Sequence, residues 1–391
     1  MSADVKHEVI AGGPNDFMTV RHLTIRGSQC DIGRALALEA RERFPDADVS
    51  VEPALNRARR RWVERSWPEH YRRMEGIADA LGVDLLDDSV NAMDLPALPF
   101  APGCSVVWCP PGIADDGHPR LVRNFDFRTD SAFEVVGIPS DQTQPPMMSA
   151  PYVIETHPTD VGLAAVVLVA CDFSGCFEGI NEAGLAVALL ADDESTTLRP
   201  AMQMQAGVYE SQLPRLVLDQ CRDVDEAIEV LRCTKQYDNL FSCHYVFADR
   251  YGDAFVWERD AHNAEHVVRA GDGPMCVTNY LLHRYDSVDA LPSDDPNRPD
   301  ALPFTVDMYE RARTLDRRTA DAPQLSLSDL EAAIDEVAVP VDVPGARTLW
   351  QTMFDLDERS MTLRCYLGDD GSDRRRSDPV TVSVGCANLT R

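Results

Sequence analysis

Lysine is almost missing from this 391-residue chain, which carries only Lys6 and Lys235. Arginine supplies nearly all of the 37 basic residues, and 65 Asp and Glu leave a formal net charge of −28. A chain this acidic repels phosphate, so nucleic acid is not expected as a partner. An acidic, lysine-poor surface suits a very salty cytosol, where counter-ions screen carboxylate repulsion. A GC-rich genome, which favours Asp and Arg, gives the same composition. Long apolar runs are also lacking: none reaches the length of a membrane span. The opening Met1–Glu8 has neither the basic nor the apolar region of a signal peptide, so a cytoplasmic protein is expected. Paired CxxC motifs are lacking although there are eleven cysteines. Cys171 and Cys176 come nearest, with no His following at ligand spacing, so no metal site is expected and most cysteines read as small core residues. Internal repeats and a Gly-rich phosphate loop are absent too, and no cofactor is expected.

What is present reads as a globular chain long enough for a substantial core. Residues 1–20 are polar, with Gly12, Gly13 and Pro14, and read as an extended lead-in. His22–Arg26 alternates like a strand, and Gly27, Ser28 and Gly33 lead into a helical pattern through Leu36, Leu38 and Ala40. Residues 53–81 read as one Arg-rich helix, either a solvated face balancing the acidic remainder or a site for an acidic cofactor such as coenzyme A. Gly82 stops it. Pro96, Pro99 and Pro102 make an extended approach to Gly103, and residues 128–151 form a long loop that flanks or covers a pocket.

Strands follow over 152–157 and 163–170, then a hairpin over 176–190 whose Asn181 and Gly184 suit the turn. Helical periodicity over 208–231 is broken at Asp223. Strands return at 243–249, 253–258 and from His266, with His244 read as a hydrogen-bonded core or rim histidine. An apolar strand ends in Thr278 and Asn279. After an acidic loop over 284–303 come helices at 304–318 and 326–337, the second capped by Ser328. A final hairpin spans 345–355 and 360–366, and the polar tail from Asp369 is either partly disordered or a short added strand. Strands joined mainly by hairpins imply antiparallel sheets, and the grouped helices make the class α+β.

The stretch Gly103–Asp126 organises the rest. Val106, Val107 and Trp108 form one apolar run, and Leu121, Val122 and Phe125 another, with Gly, Pro and Asp between them, which is the pattern of a β-hairpin. Cys104 opens the first strand, while Arg123 and Asp126 end the second, so pairing gathers a thiol, a guanidinium and a carboxylate at one sheet end. A cation and a base beside a thiol make it a nucleophile. A buried free cysteine next to an ion pair fits the same residues.

Gly103-Cys104-Ser105 followed by Arg123-Asn124-Phe125-Asp126 resembles the nucleophile hairpin of N-terminal-nucleophile (Ntn) hydrolases. The acyl-CoA:6-aminopenicillanate acyltransferase family (peptidase family C45) is the group it is most similar to, with bile-salt hydrolases and penicillin V acylases as cousins. Further matches follow in the family's order, among them Gly179-Ile180-Asn181-Glu182-Ala183-Gly184-Leu185 and Thr278-Asn279, where Tyr280 replaces the common His.

The resemblance implies a four-layer αββα sandwich and a cysteine amidohydrolase or acyltransferase acting on a linear amide. It implies self-cleavage at Gly103–Cys104, giving a 1–103 segment that stays associated with a catalytic 104–391 chain. Cys104 is then the nucleophile and its freed α-amine the base, with Arg123 and Asp126 beside it. Asn279 and a backbone N–H near Ala191 hold the oxyanion, and Arg347 is the second active-site arginine, Arg364 being a surface alternative. The partner is a small N-acyl substrate, with no membrane, and a homo-oligomer is allowed. Two rivals remain: a coenzyme A-dependent acyltransferase and an uncleaved, non-catalytic binding protein of the same fold.

Overall fold

The polar opening residues pair as a hairpin, β1 (Asp4–Gly12) with β2 (Thr19–Gly27), where an extended lead-in was expected. The reason lies in β2, which is buried at Val20, Leu23 and Ile25. Its backbone N–H and C=O groups therefore need partners, supplied by β1 on one edge and by the strand Tyr152–Pro158 on the other. The computed structural model describes residues 3–44, 50–95, 102–135, 145–170, 172–195, 204–239, 241–295, 305 and 307–385. Pro96 and Pro99 of the approach to Gly103, much of the 128–151 loop and the end of the acidic loop lie outside these.

Helix α1 (Gln29–Arg43) starts at a capping box in which Ser28 and Asp31 satisfy each other's backbone N–H. The expected single helix over 53–81 is two, α2 (Pro53–Ser66) and α3 (Pro68–Leu81). Pro68 has no N–H to continue the ladder, and the break falls in front of it, at Trp67. Gly33 and Gly76 let α1 and α3 touch. A Cβ on Gly33 would lie 2.0 Å from the Arg73 carbonyl oxygen, and one on Gly76 would lie 1.8 Å from that of Cys30. That contact is the structural role of Gly33. The arginines of α2 and α3 are not simply a solvated face: Arg59 and Arg73 are buried against Asp94 and Asp219, and Arg57 and Arg60 share Asp88.

Along the rest of the chain come β3 (Gly103–Cys109), β4 (Arg120–Arg128), the short α4 (Ala132–Val135), β5 (Tyr152–Pro158), β6 (Ala165–Val169), β7 (Glu178–Asn181) and β8 (Ala186–Ala191). Gly184 turns β7 into β8 with φ +86°, where a side chain would be strained. Helices α5 (Gln212–Gln220) and α6 (Val224–Cys233) separate at Asp223, which is the N-cap of α6. Then follow β9 (Cys243–Ala248), β10 (Ala254–Arg259), β11 (Glu265–Arg269), β12 (Met275–Val277), α7 (Met308–Thr319) and α8 (Leu327–Glu336). The cap of α8 is Ser326, in a capping box with Asp329, and not Ser328. The chain closes with β13 (Ala346–Asp355), β14 (Ser360–Asp370), β15 (Asp373–Arg376) and β16 (Val380–Ser383), so the polar tail adds strands.

Nine strands form one sheet in the order β1-β2-β5-β6-β7-β8-β9-β10-β11, and a second runs β12-β3-β4-β13-β14-β15 with β16 also on β14. Among the described strands of these two sheets, pairing is antiparallel except between β2 and β5. Helix α1 covers β2 and β5, α5 covers β7 and β8, and α6 covers β9 on the outside of the first sheet. Helices α7 and α8 cover β3, β4 and β12 on the outside of the second. The two sheets face each other, β3 lying over β8. This is the α+β class expected from the pattern of strands and helices, in the αββα sandwich that the resemblance implied. Among the described residues no helix is long and apolar enough to cross a membrane.

Candidate active site

Cys104 sits in the second position of β3, opposite Phe125 of β4, with its side chain in the space between the sheets. It is completely buried. Val106 and Arg123 are ladder partners two residues further along, so alternation brings the Arg123 guanidinium to the same face. Arg123 Nη2 donates to Cys104 Sγ at 3.2 Å and to the Leu189 carbonyl at 2.6 Å, while Nη1 binds Glu178 Oε2 at 2.8 Å and the Phe177 carbonyl at 3.2 Å. Glu178 is itself held by Trp350 Nε1 and Thr352 Oγ1. Burial pushes the Cys104 thiol up to about 11, against the pull of Arg123. In the intact chain this sulfur is therefore a thiol and a poor nucleophile.

Asp126 stands apart from the thiol. It pairs with Gly103 in the ladder, and its carboxylate lies on the opposite face of the second sheet, beneath α7. Thr348 Oγ1 donates to Asp126 Oδ1 at 2.6 Å, and Arg311 of α7 lies 3.5 Å from Oδ2. Burial pushes this carboxyl up to about 7, with Arg311 and Thr348 opposing the shift.

Asn279, two residues beyond β12, bridges the pieces. Its Oδ1 accepts from the Cys104 backbone N–H and from Arg311 Nη2, both at 3.0 Å. Two obligate donors on one atom fix the amide's orientation. Its Nδ2 donates to the Ala191 carbonyl at 2.9 Å and to the Pro102 carbonyl at 3.3 Å. The peptide nitrogen held by Asn279 is that of the Gly103–Cys104 bond. Ala191 faces the same space. Asp192 N–H bonds Ser242, so by antiparallel alternation Ala191 is a non-bonded partner of Cys243, and its N–H and C=O turn away from β9.

The structure thus gathers Gly103, Cys104, Arg123, Asn279 and Ala191, with Asp126 on the far side of the strand. It does not bring Arg347 to them. Arg347 lies on β13 opposite Phe127, one residue before the Thr348 that reaches Asp126, and its guanidinium is committed to Asp369 at 2.6 Å and to the Val343 and Ala346 carbonyls. Arg364 is paired with Glu331. The arginine that does reach the cluster is Arg311, whose Nη1 donates to the Cys104 carbonyl and to Ser105 Oγ, both at 2.8 Å. Its signal in the sequence is faint: a charge on the stripe of α7 that also carries Met308, Ala312 and Leu315. Glu178 also reaches the cluster, and its signal is an acid at the start of a strand pair whose other residues, Asn181 apart, are apolar or Gly. Among the described residues no cluster of His, Cys, Asp and Glu side chains is arranged to hold a metal.

A sequence profile of the family described as acyl-coenzyme A:6-aminopenicillanic acid acyl-transferase matches residues 114–366, well over half of the chain. The match begins beyond β3, so it includes Arg123, Asp126, Asn279 and Arg311 but not Cys104. No curated protein matches the chain in sequence. Among solved structures, penicillin V acylase from Agrobacterium tumefaciens is similar at 19% identity, with 68% of this chain and 84% of that one covered and a TM-score of 0.48. A mutant of conjugated bile acid hydrolase from Clostridium perfringens is similar at 13% identity, covering 70% of this chain and 92% of that one, also with a TM-score of 0.48.

Proposed function

Because this chain belongs to the acyl-coenzyme A:6-aminopenicillanic acid acyl-transferase family, we propose that it is a cysteine amidohydrolase or acyltransferase that activates itself by cutting Gly103–Cys104. In this reading Cys104 Sγ attacks the Gly103 carbonyl carbon, the C–N bond breaks, and the departing nitrogen takes up the thiol proton. Water then hydrolyses the resulting thioester, leaving a carboxylate on Gly103 and a free α-amine on Cys104. The segment 1–103 remains bound, because β2 is paired along its length with β5.

The mature cycle uses the same atoms. The α-amine titrates near neutrality, so it takes the thiol proton as Sγ attacks a substrate amide. It gives that proton to the leaving amine, and a thioester remains. Water or another acceptor resolves the thioester, with the α-amine again as base and then acid. Arg123 favours the thiolate, and in this reading Asn279 Nδ2 and the Ala191 N–H are the donors to the oxyanion. Arg311 holds Asn279 and the Cys104 carbonyl. The acceptor is water for hydrolysis, or an amine or the thiol of coenzyme A for transfer.

The observation that carries this reading is that both ends of Cys104 are held by side chains, its backbone nitrogen by Asn279 and its sulfur by Arg123. Intact mass spectrometry of the purified protein tests it. The parent should give two chains, 1–103 and 104–391, and Cys104→Ala should give one. A whole parent chain that still hydrolyses amides would refute the amine-base mechanism, and a whole, inactive one would favour a binding protein.

A further inference from the structure

Glu258, His244 and His266 share one row on the first sheet. Glu178 reaches across to Arg123, so its face of β7 looks into the space between the sheets. Register carries that face along the row: Glu178 pairs with Ala188, Ala188 with Val246, and two residues on, Leu190 with His244. Val246 pairs with Val256, and Glu258, two residues further, pairs with His266. His244 and Glu258 are fully buried.

The hydrogen bonds of this row define what His244 has left to offer. Glu258 accepts from His244 Nδ1 at 3.3 Å, from the Leu282 N–H at 2.7 Å, and from the His283 N–H and Nδ1 at 3.0 and 2.7 Å. Burial works against its charge, yet bonds from His244 and His283 hold this carboxyl down at about 2. An ionised carboxylate can only accept, so Nδ1 of His244 carries the proton and, in the neutral ring, Nε2 is a bare acceptor. Among the described residues that buried Nε2 has no hydrogen-bond partner. A buried polar atom left in this state is costly, unless something else supplies the missing bond.

The track of the scissile segment leads to it. Asn279 Nδ2 bridges the Pro102 and Ala191 carbonyls, so the residue on the acyl side of Gly103 lies over the end of β8. Ala191 is the ladder partner of Cys243, the neighbour of His244. Leu189, whose carbonyl meets the Cys104 thiol at 3.7 Å, is one residue from Leu190, the partner of His244. Strand geometry puts Nε2 roughly 10 Å from the thiol, room for roughly four or five bonds between a carbonyl carbon and a bonding group. In the cut chain proposed above, the new C-terminus at Gly103 has to swing aside while the rest of its segment stays held by β2. A substrate's acyl part would then take the path of residues 102 and 103.

We propose that His244 is a specificity residue whose Nε2 accepts a hydrogen bond from a hydroxyl or N–H on the acyl part of the substrate, a few bonds from the scissile carbonyl. This deepens the amidohydrolase reading and rests on it.

The test uses the mature protein and a set of p-nitroanilides of straight-chain acids. Each bears a hydroxyl at one of the successive chain positions and is compared with its deoxy counterpart. A site built around a buried hydrogen bond discriminates strongly against the partner that lacks it. One hydroxyl position should be favoured by about a hundredfold in kcat/KM over the deoxy chain, and His244→Leu should bring that ratio near one. His244→Gln, which keeps an acceptor, should restore part of it. Equal rates for every pair in the parent would overturn the proposal without any variant, as would a preference that survives His244→Leu in a protein shown by mass to be cut. If no anilide turns over and the chain is whole, the amidohydrolase reading falls and takes this one with it. Turnover without selectivity sinks only His244.

Discussion

Arg311 Nη2 and the Cys104 backbone N–H meet on a single atom, Asn279 Oδ1, each at 3.0 Å. A helix of the outer layer is thereby tied to the nitrogen of the peptide bond proposed to be cut. The same guanidinium holds the Cys104 carbonyl and faces Asp126, so it spans the strand edge that separates the carboxylate from the thiol.

Arg311 and Arg347 make opposite predictions. Arg311→Ala leaves Asn279 and Asp126 without their shared partner, so maturation should slow and the turnover of any matured enzyme should fall by about tenfold or more in kcat, with KM little changed. Arg311→Lys should recover only part of this, because an ammonium cannot make the forked contacts. Arg347→Ala should mature and turn over like the parent, since its guanidinium is spent on Asp369 and on the Val343 and Ala346 carbonyls. Intact mass followed by steady-state kinetics checks both. An Arg347 variant as impaired as the Arg311 one would restore the role expected from the sequence.

How much of this was legible can be judged residue by residue. The meeting of Cys104 and Arg123 is legible in the sequence because it depends only on a hairpin and on period-two alternation. The same alternation separates Arg123 from Asp126, which are three apart and so face opposite ways. A grouping of all three holds along the strand but not across it. Arg311 lies 207 residues from Cys104 in sequence, and only tertiary packing of α7 brings it there. The lead-in that proved to be β1 has a mostly exposed surface, so hydrophobic pattern carried little signal. Pro68, by contrast, was readable as a helix break.

Asp126 predicts a pH dependence. Its carboxyl titrates near 7 in the fold against an ordinary value of about 4 in the unfolded chain. Between these values the folded state holds a proton that the unfolded state has lost. This group's contribution therefore falls as pH rises from about 4 to about 7, and is constant above that. Comparing Cys104→Ala with Cys104→Ala/Asp126→Asn isolates it in an uncut chain. The Asn variant's relative stability should grow by a few kcal/mol across that window in urea titrations, then level off. A difference independent of pH would mean that Asp126 ionises normally.

Asn279→Ala should lower turnover by roughly a hundredfold or more while leaving KM nearly intact, the usual loss for one oxyanion donor. The residue also holds the Cys104 nitrogen before cleavage, so each preparation needs its mass checked first. Parent-like kcat in a fully cut, folded variant would leave Asn279 a purely structural strand-end cap.

The last prediction concerns salt. Two effects compete when KCl is raised. Exposed ion pairs such as Arg317 with Glu310 and Arg269 with Asp225 are weakened, but pairs of this kind contribute little individually. Buried pairs such as Arg123 with Glu178 are screened far less. Against these stands a net charge of −28, whose self-repulsion acts on the whole surface and is relieved as the screening length shrinks from about 10 Å at 0.1 M to about 3 Å at 1 M. Internal pairs such as Arg59 with Asp94 are neutral overall, so the acidic net charge is left to the surface. Repulsion should dominate, so Tm and activity should both rise from dilute buffer into molar KCl. A Tm that is flat or falling over that range would mean that the composition reflects codon usage and not a salty cytosol.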